Sequence, residues 1–589
     1  MESIDIGFLQ KMTELYNGQI AKQNGQIAKQ RDTIEKQQKT IRKLQTELEK
    51  ELQKVKLFDI NRGKSSSQVL KVPAVPVSVL TDSYKASHFK MYPECQKMVA
   101  YGEFRSPYPI KMKGESSSDT RVLFQGMRYI LENYIAVPWT VEDVENAEKF
   151  YKTHNAGNTE YPFPKELFMK FVKENNGYFP VKIEALEEGT VANVHVPVYQ
   201  ITAEKEYARL VTFLETILTH VWYPSTVATL SRRCKDIIAE AFKESVDPEL
   251  MFLLDSRLHD FGMRGCTSVE QTILGGVAHL LNFNGSDTMS AAYYAQFHLN
   301  NGNPVAQSIP ATEHSVMTSW PDEKKAIDNM IDEFGGNGKV FAVVMDSYDY
   351  NNALFNVLPT IAEHHKEKGG LIVLRPDSGD PVQCIRDAMK AGESAFGCTI
   401  NKKGFKVLNG CAAIQGDGIN YQTIIDILDA VLKDGYSACN VAFGMGGGLL
   451  QKVNRDTMAF ATKLSHTVDK NGVKRDIMKR PKTDSGKTSL PGELKVIRNP
   501  NTGGLDVFPK EHDTGNAENM LKVVYNCGPV NIKYDSFDNL KASIEKNWES
   551  TPRNYDSITP ELKAKMKAIL NEIPPGQEVL NKPTPTRSF

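Results

Sequence analysis

The sequence predicts an α/β protein whose larger part, beyond about residue 250, is a barrel of repeated β–α units. The first observation behind this is that short apolar runs end seven times in a charged or glycine-rich turn: HDFGMRG (259–265), FNGSDT (283–288), SIPATEH (308–314), VVMDSYD (343–349), LIVLRPDSGDP (371–381), AIQGDG (413–418) and VAFGMGGG (441–448). The second is that a helix-length stretch follows each turn, and units of about 25–40 residues suit an α/β barrel. The third is that these strand ends are unusually polar, and such a barrel keeps its chemistry in the loops after its strands. A doubly wound open sheet is the rival architecture for the same alternation.

In chain order, residues 17–30 repeat the heptad NGQIAKQ in tandem, and the register continues through Ile20, Ile27, Ile34, Ile41, Leu48 and Val55. The d-type positions Gln23, Gln30, Gln37, Leu44 and Glu51 are mostly polar, and Gly18 and Gly25 each cost about 1 kcal/mol against alanine. The expectation for 1–60 is a weak, coiled-coil-like helical extension, with a solvated single helix as the alternative. NRGKSSSQVLK, ending at Lys71, reads as a linker over 61–71. From residue 72 to about 247 the chain mixes strand-like runs (PVKIEALEEG, and the alternation from Val191 to Val198) with a helical pattern over 206–222, which reads as α+β. The β–α units occupy 248–454, and the proline-rich tail 573–589 has too little to bury to be ordered.

Composition narrows the function. With 71 Lys+Arg against 72 Asp+Glu among 589 residues, the net charge of −1 argues against an electrostatic nucleic-acid binder. No secretory leader precedes the heptads and no run reaches the ~18 apolar residues of a membrane helix, so a cytoplasmic protein is expected. The eight cysteines are scattered without a C-x-x-C pair, which points to reduced thiols rather than a zinc site or disulfide framework.

The strongest local signal is FGMGGGLLQKV (443–453), where glycines between a strand and a helix leave backbone N–H groups open to an anion. With QGDG it fills the two last loops, where barrels commonly grip phosphate; glycines serving only a tight β–α turn are the alternative. A dinucleotide fingerprint is excluded by Leu449 where G-x-G-x-x-G needs glycine, and a Walker A loop by Pro481 ahead of SGKTS. Carboxylates at the strand ends (Asp260, Asp287, Asp349, Asp377, Asp417) can bind sugar hydroxyls, hold Mg²⁺ through water or stabilise an oxocarbenium cation, although any one of them can instead be a helix cap. Arg264 and Arg375 in the same turns offer bidentate donors to phosphate. His314 ends an apolar run in this ring of turns, where an imidazole can contact phosphate or carry a phosphoryl group; a structural histidine is the alternative.

Read together, LTDSYKASHFKMYP (80–93), LHDFGMRG (258–265), NFNGSDT (282–288), SIPATEHS (308–315), DSYDYNNA (346–353), RPDSGDP (375–381), IQGDG (414–418) and FGMGGGLLQKVNRD (443–456) resemble the nicotinamide phosphoribosyltransferases, over about residues 75–540. The resemblance implies an irregular α/β barrel (248–454), an α+β sheet domain made by both chain ends (72–247 with 455–550), and a homodimer with shared active sites. It implies transfer of phosphoribose from phosphoribosyl pyrophosphate to nicotinamide with Mg²⁺ as cofactor, in NAD salvage. ATP would be a coupled substrate, hydrolysed through a phosphohistidine at His314. By motif, Phe261 and a partner's Tyr84 would sandwich the pyridine, with Arg264, Ser308 and Asp287 beside it. Asp287 would accept from the carboxamide, Asp377 would hold ribose hydroxyls, and Arg375 would face the pyrophosphate or phosphate. His314, Asp377, Arg375 and Asp287 would thus form the catalytic set. Gly416, Asp417, Gly446 and Gly447 would line the phosphoribosyl site, with Arg105, Arg455, Lys463 and Lys479 as cations; no metal ligands are assigned. Met345 and Met445 stand where small residues are expected. The alternatives are a nicotinate-using enzyme, which would want a neutral or cationic group at 287, and a non-catalytic protein assembling partners through the heptads.

Overall fold

The apolar runs that precede the polar turns form one parallel sheet, made of β1 (Leu258–Asp260), β2 (Gly285–Ser286), β3 (Val340–Val344), β4 (Leu371–Arg375), β5 (Cys411–Gln415) and β6 (Val441–Met445). The strand order is β2-β1-β6-β5-β4-β3, every pair parallel. Parallel strands are covered on both faces, which is why runs such as VFAVV and LIVL are apolar throughout.

The sheet is a curled half-barrel, and segment 307–312 hydrogen-bonds to both of its edges. On one side the Ser286 N–H donates to the Gln307 carbonyl (3.0 Å) and the Gln307 N–H to that of Asn284 (2.7 Å); on the other, the Ala342 N–H donates to the Pro310 carbonyl (2.8 Å) and the Thr312 N–H to that of Ala342 (3.1 Å). The inner face carries a small cluster of Ala342, Val373, Ala412 and Ile414, capped by Phe261 and Ile309. Phe341, Val343, Ile372 and Leu374 point outward into the large core under the helices. Met345 belongs to that outer core, so the residue expected to line the inner passage is packed away from it. Strand parity of two carries the inner face from 371 and 373 to Arg375, and from 412 and 414 to Gly416, at the carboxyl ends of the strands.

The computed structural model describes residues 75–111, 118–480 and 488–572, plus Gly25 and Lys43. The rest of the heptad segment, the linker and the proline-rich tail lie outside the described residues. The chain divides into Met1–Val75 and Pro76–Phe589. In the second unit, a six-stranded sheet in the order Lys474–Asp476, Ala461–Asp469, Cys95–Glu103, Pro197–Glu204, Val181–Ala185, Lys522–Asn526 draws strands from before and after the parallel one, all antiparallel. Trp139, Phe168, Phe171, Phe179 and Phe213 pack ring against ring in its core.

The helix expected over 206–222 is broken. A 3-10 turn (Lys205–Leu210) and a short helix (Glu215–Thr219) occupy it, and the long helix runs instead over Trp222–Ser245. Pro224 explains the start, since proline is tolerated in a first turn, where its missing N–H has no intrahelical partner to lose. The long helix is buried along most of its length, and Ser225 and Thr229 accept the backbone N–H groups of Gln125 and Leu123 (3.0 Å each). A buried ionic cluster joins it to the C-terminal part: Arg121 and Arg233 both reach Asp119 (2.6 and 2.5 Å), and the Arg121 guanidinium lies 3.9 Å over the Trp548 ring. All eight cysteines are free, and no helix among the described residues is long and apolar enough to cross a membrane.

Candidate active site

Phe261, the first residue after β1, is fixed by its backbone: its N–H donates to the Met445 carbonyl (3.2 Å). Its ring lies directly over Gly444, where a Cβ would stand 2.0 Å from the ring Cε2, and beside Gly416, where a Cβ would stand 3.3 Å from the same atom. Two glycines of the paired loops therefore leave room for an aromatic ring. Asp260 anchors the same turn, accepting the Gly262 N–H at Oδ1 (2.7 Å) while its carbonyl accepts the Asp287 N–H (3.0 Å). Burial pushes the Asp260 carboxyl up to about 6.

Across the mouth, the Ser308 hydroxyl donates to Asp287 Oδ1 (2.5 Å). Phe261, Arg264, Asp287 and Arg375 line one open cavity of about 670 Å³. Arg375 spends one nitrogen on the Thr312 carbonyl (Nη2, 3.0 Å), whereas its buried Nε has no partner. Arg375 also lines the cavity, and a guanidinium there suits a ligand that brings a carbonyl or phosphate oxygen.

His314 begins the short helix His314–Thr318. Its Nε2 faces Asp377 Oδ2 (3.5 Å) and Asp346 Oδ1 (3.8 Å), and its Nδ1 the Ser347 hydroxyl (3.3 Å). Asp346 is the residue that sequence reasoning missed. Its Oδ2 accepts the Asp377 N–H (3.2 Å) and the Ser378 hydroxyl (2.5 Å), and its buried Oδ1 makes no hydrogen bond. In D-S-Y-D the second carboxylate, Asp349, caps the turn Tyr350–Asn352 by accepting the Asn352 N–H (2.9 Å). The doubled aspartate was the available signal, and strand parity does not say which copy turns inward.

Asp377 also stands 4.0 Å from Arg375. After β5, the Gly416 N–H donates to Gln415 Oε1 (3.0 Å), and Asp417 is exposed. Gly446 and Gly447 open the single turn Gly447–Leu450, where a Cβ on Gly446 would stand 3.2 Å from the Phe261 carbonyl. Met445 is buried in the outer core, its side chain under Gly448. Phe261, Arg264, Asp287, Ser308, His314, Arg375, Asp377 and the glycine turns thus share the carboxyl ends of the parallel strands.

The remaining predicted residues lie elsewhere. Tyr84, on the helix Ser83–Met91, is 53% exposed and is not among the cavity-lining residues. Arg105 donates to the Ala459 carbonyl (3.0 Å) next to the antiparallel sheet. Lys463 pairs with Tyr101 in that sheet. Burial holds Lys463 below the usual lysine range against the pull of Glu215, with Arg105 and Lys479 adding to the depression. Arg455 is exposed beside Asp456 (3.1 Å). Among the described residues no three His, Cys, Asp or Glu side chains are grouped to hold a metal.

An aromatic ring over glycine, the Arg375 guanidinium and two carboxylates beside one imidazole nitrogen meet at the carboxyl ends of parallel strands, where α/β barrels keep their active sites, and their chemistry suits a planar base and a phosphorylated sugar. Comparison with known proteins agrees. Residues 256–529 match the nicotinate phosphoribosyltransferase (NAPRTase) family, and 76–183 the nicotinamide phosphoribosyltransferase N-terminal domain. A nicotinamide phosphoribosyltransferase of Xanthomonas campestris is 42% identical over 72% of this chain and 88% of its own, and one of Acinetobacter baylyi 29% over 80% and 97%. The crystal structure of human nicotinic acid phosphoribosyltransferase shares the fold at a TM-score of 0.54 and 16% identity, over 83% of this chain and all of that one. The chain belongs to the nicotinamide phosphoribosyltransferase family.

Proposed function

We propose that this protein joins nicotinamide to phosphoribosyl pyrophosphate, giving nicotinamide mononucleotide and pyrophosphate in a cytoplasmic NAD salvage step. The observation that carries the reading is the grouping of Phe261, Asp287 and Arg375 around one cavity. The pyridine lies against Phe261, whose offset stacking is worth ~0.5–1.5 kcal/mol beyond burial. Asp287, held by Ser308, accepts from the carboxamide NH₂ and repels the carboxylate of nicotinate. The ring nitrogen attacks the anomeric carbon with its lone pair while the bond to pyrophosphate breaks and the leaving group keeps the electron pair. Positive charge that builds on the ribose is offset by Asp377, and Arg375 receives an oxygen of the phosphorylated substrate.

Mg²⁺ fits this donor set. The buried Asp346 Oδ1, which makes no hydrogen bond, and the neighbouring Asp377 are hard oxygen donors, and Mg²⁺ is commonly held by one or two carboxylates with substrate phosphates supplying the rest. When bound it neutralises phosphate charge. The same carboxylates bear on His314. Beside them, His314 takes the γ-phosphoryl of ATP on its imidazole as the bond to ADP breaks and ADP leaves with the electron pair. Tyr84, Arg105, Arg455, Lys463 and Lys479, distributed away from the cavity, are supplied to the site of a second copy in a homodimer. The apolar stripe of Met289, Tyr293 and Phe297, exposed at a spacing of four residues, supports such a partner. Formation of nicotinamide mononucleotide and pyrophosphate from the two substrates with Mg²⁺ tests the reading. Arg375→Ala is expected to lower kcat/KM for phosphoribosyl pyrophosphate by on the order of 100-fold; an unchanged value would remove Arg375 from the site.

A further inference from the structure

The turn that carries Phe261 and Arg264 is gripped at the backbone of one residue, Gly262. Its N–H donates to Asp260 Oδ1 (2.7 Å), and its carbonyl accepts Gln451 Nε2 (2.9 Å) as well as the Gly265 N–H (3.1 Å). From these bonds, and resting on the reaction proposed above, we infer that Asp260 and Gln451 are positioning residues for the pyridine, which hold Phe261, Arg264 and Asp287 in place without touching the ligand.

Phe261, Met263, Arg264 and Cys266 of this turn line the cavity, whereas Asp260 and Gln451 are not among its lining residues. Asp260 is fully buried at the end of β1. Its side chain fixes the turn while its carbonyl accepts the Asp287 N–H (3.0 Å), so one residue ties the stacking ring to the carboxamide acceptor. The helix Val269–Leu280 leaves room for this carboxyl, since a Cβ on Gly276 would stand 3.2 Å from Asp260 Oδ2. Burial and, less strongly, the Asp287 charge push the carboxyl up, while the Gly262 N–H draws it down, because that bond favours the ionised form. Gln451 works from the other side. It follows the turn Gly447–Leu450, and its Nε2 also donates to Cys266 Sγ (3.1 Å). A Cβ on Gly265 would stand 2.8 Å from Gln451 Oε1, so that glycine lets the amide reach across. The hydrogen bonds of these two side chains thereby join β1, the turn 261–266 and the glycine turn after β6.

Hydrogen–deuterium exchange over residues 261–266 in the ligand-free full chain reads the grip itself, and calorimetric titration with nicotinamide reads its consequence. Neither needs turnover, so the result stands apart from whether nicotinamide mononucleotide forms. Gln451→Met keeps the length of the side chain and removes the donor. It should speed exchange by about fivefold, the effect of one hydrogen bond, and weaken nicotinamide by about 2- to 12-fold, the worth of the misplaced stack. Phosphoribosyl pyrophosphate should bind it within about twofold of its affinity for the parent. Asp260→Leu, which also frees Asp287, should weaken nicotinamide more than Gln451→Met does. Asp260→Asn, which keeps an acceptor for the Gly262 N–H, should restore binding to within about threefold of the parent. Gln451→Met decides the matter if Asp260→Leu fails to fold. The inference is overturned if exchange in Gln451→Met matches that of the parent, if both ligands weaken together, or if Asp260→Asn binds nicotinamide no better than Asp260→Leu.

Discussion

Replacing Gly444 by alanine tests whether the glycine-rich strand end serves the pyridine site. Gly444 lies inside β6 and outside the left-handed region, so alanine meets no backbone strain there. The added Cβ would stand 2.0 Å from Cε2, 2.2 Å from Cδ2 and 2.8 Å from Cζ of Phe261. Carbon atoms rest at about 3.5–4.0 Å, so the ring edge must retreat by roughly 1.5–2 Å. Loss of the stack alone is worth ~0.5–1.5 kcal/mol, or about 2- to 12-fold in KM for nicotinamide. Misplacing the attacking nitrogen by about 1 Å costs on the order of 100-fold, so kcat/KM should fall between these bounds. Steady-state kinetics with nicotinamide varied at saturating phosphoribosyl pyrophosphate measures this, in the parent, Gly444→Ala, Phe261→Ala and the double variant. Once the ring is gone the methyl has nothing to displace, so the second substitution should change kcat/KM by less than about twofold. A Gly444→Ala variant as active as the parent, or one whose penalty persists without Phe261, refutes the reasoning.

Three further outcomes are expected. His314→Ala should abolish ATP hydrolysis while leaving ATP-independent transfer measurable; unchanged ATP consumption would remove His314 from the coupling. Asp119→Asn weakens the charge shared by buried Arg121 and Arg233 and should lower stability by about 3–5 kcal/mol in denaturant melts, because breaking a buried ionic cluster leaves uncompensated charge; a loss below about 1 kcal/mol would contradict this. For Glu493, burial would raise the carboxyl, but ion pairs with Lys510 and Lys97 (2.8 Å each) prevail and hold it at about 2. Its folded pKa is depressed, so its contribution of up to ~3 kcal/mol is present above the unfolded value and is lost as pH falls from about 4.5 towards 2. Glu493→Gln should flatten that part of the stability–pH curve, and an unaltered slope would count against the ion pairs.

The strands of the parallel sheet were legible because buried parallel strands must be apolar and the turns after them need not be. The same alternation made the polar strand ends a natural place to look for the site. The segment 307–312 was readable as a turn, but not as the one that meets both sheet edges, since Pro310 interrupts its N–H pattern and those partners are distant in sequence. The run 206–222 looked helical by spacing, whereas Pro224 and burial place the long helix further on. Phe261 against Gly444 was invisible for another reason. Sequence assigns a glycine cluster to phosphate or to a tight turn, and only the fold puts a ring from β1 over β6. Asp346 and Asp349 differ by three positions and the same chemistry, and their roles separate only once one is seen capping a helix and the other facing His314.

The most direct test of the central claim is the choice between pyridines. Product formation from phosphoribosyl pyrophosphate with either nicotinamide or nicotinate should be measured in the parent and in Asp287→Ala. The account predicts that the parent strongly prefers nicotinamide and that the variant loses most of that preference, since it removes both the acceptor for the carboxamide and the repulsion of the carboxylate. A parent that uses nicotinate as readily as nicotinamide, or a variant whose preference is unchanged, would contradict it.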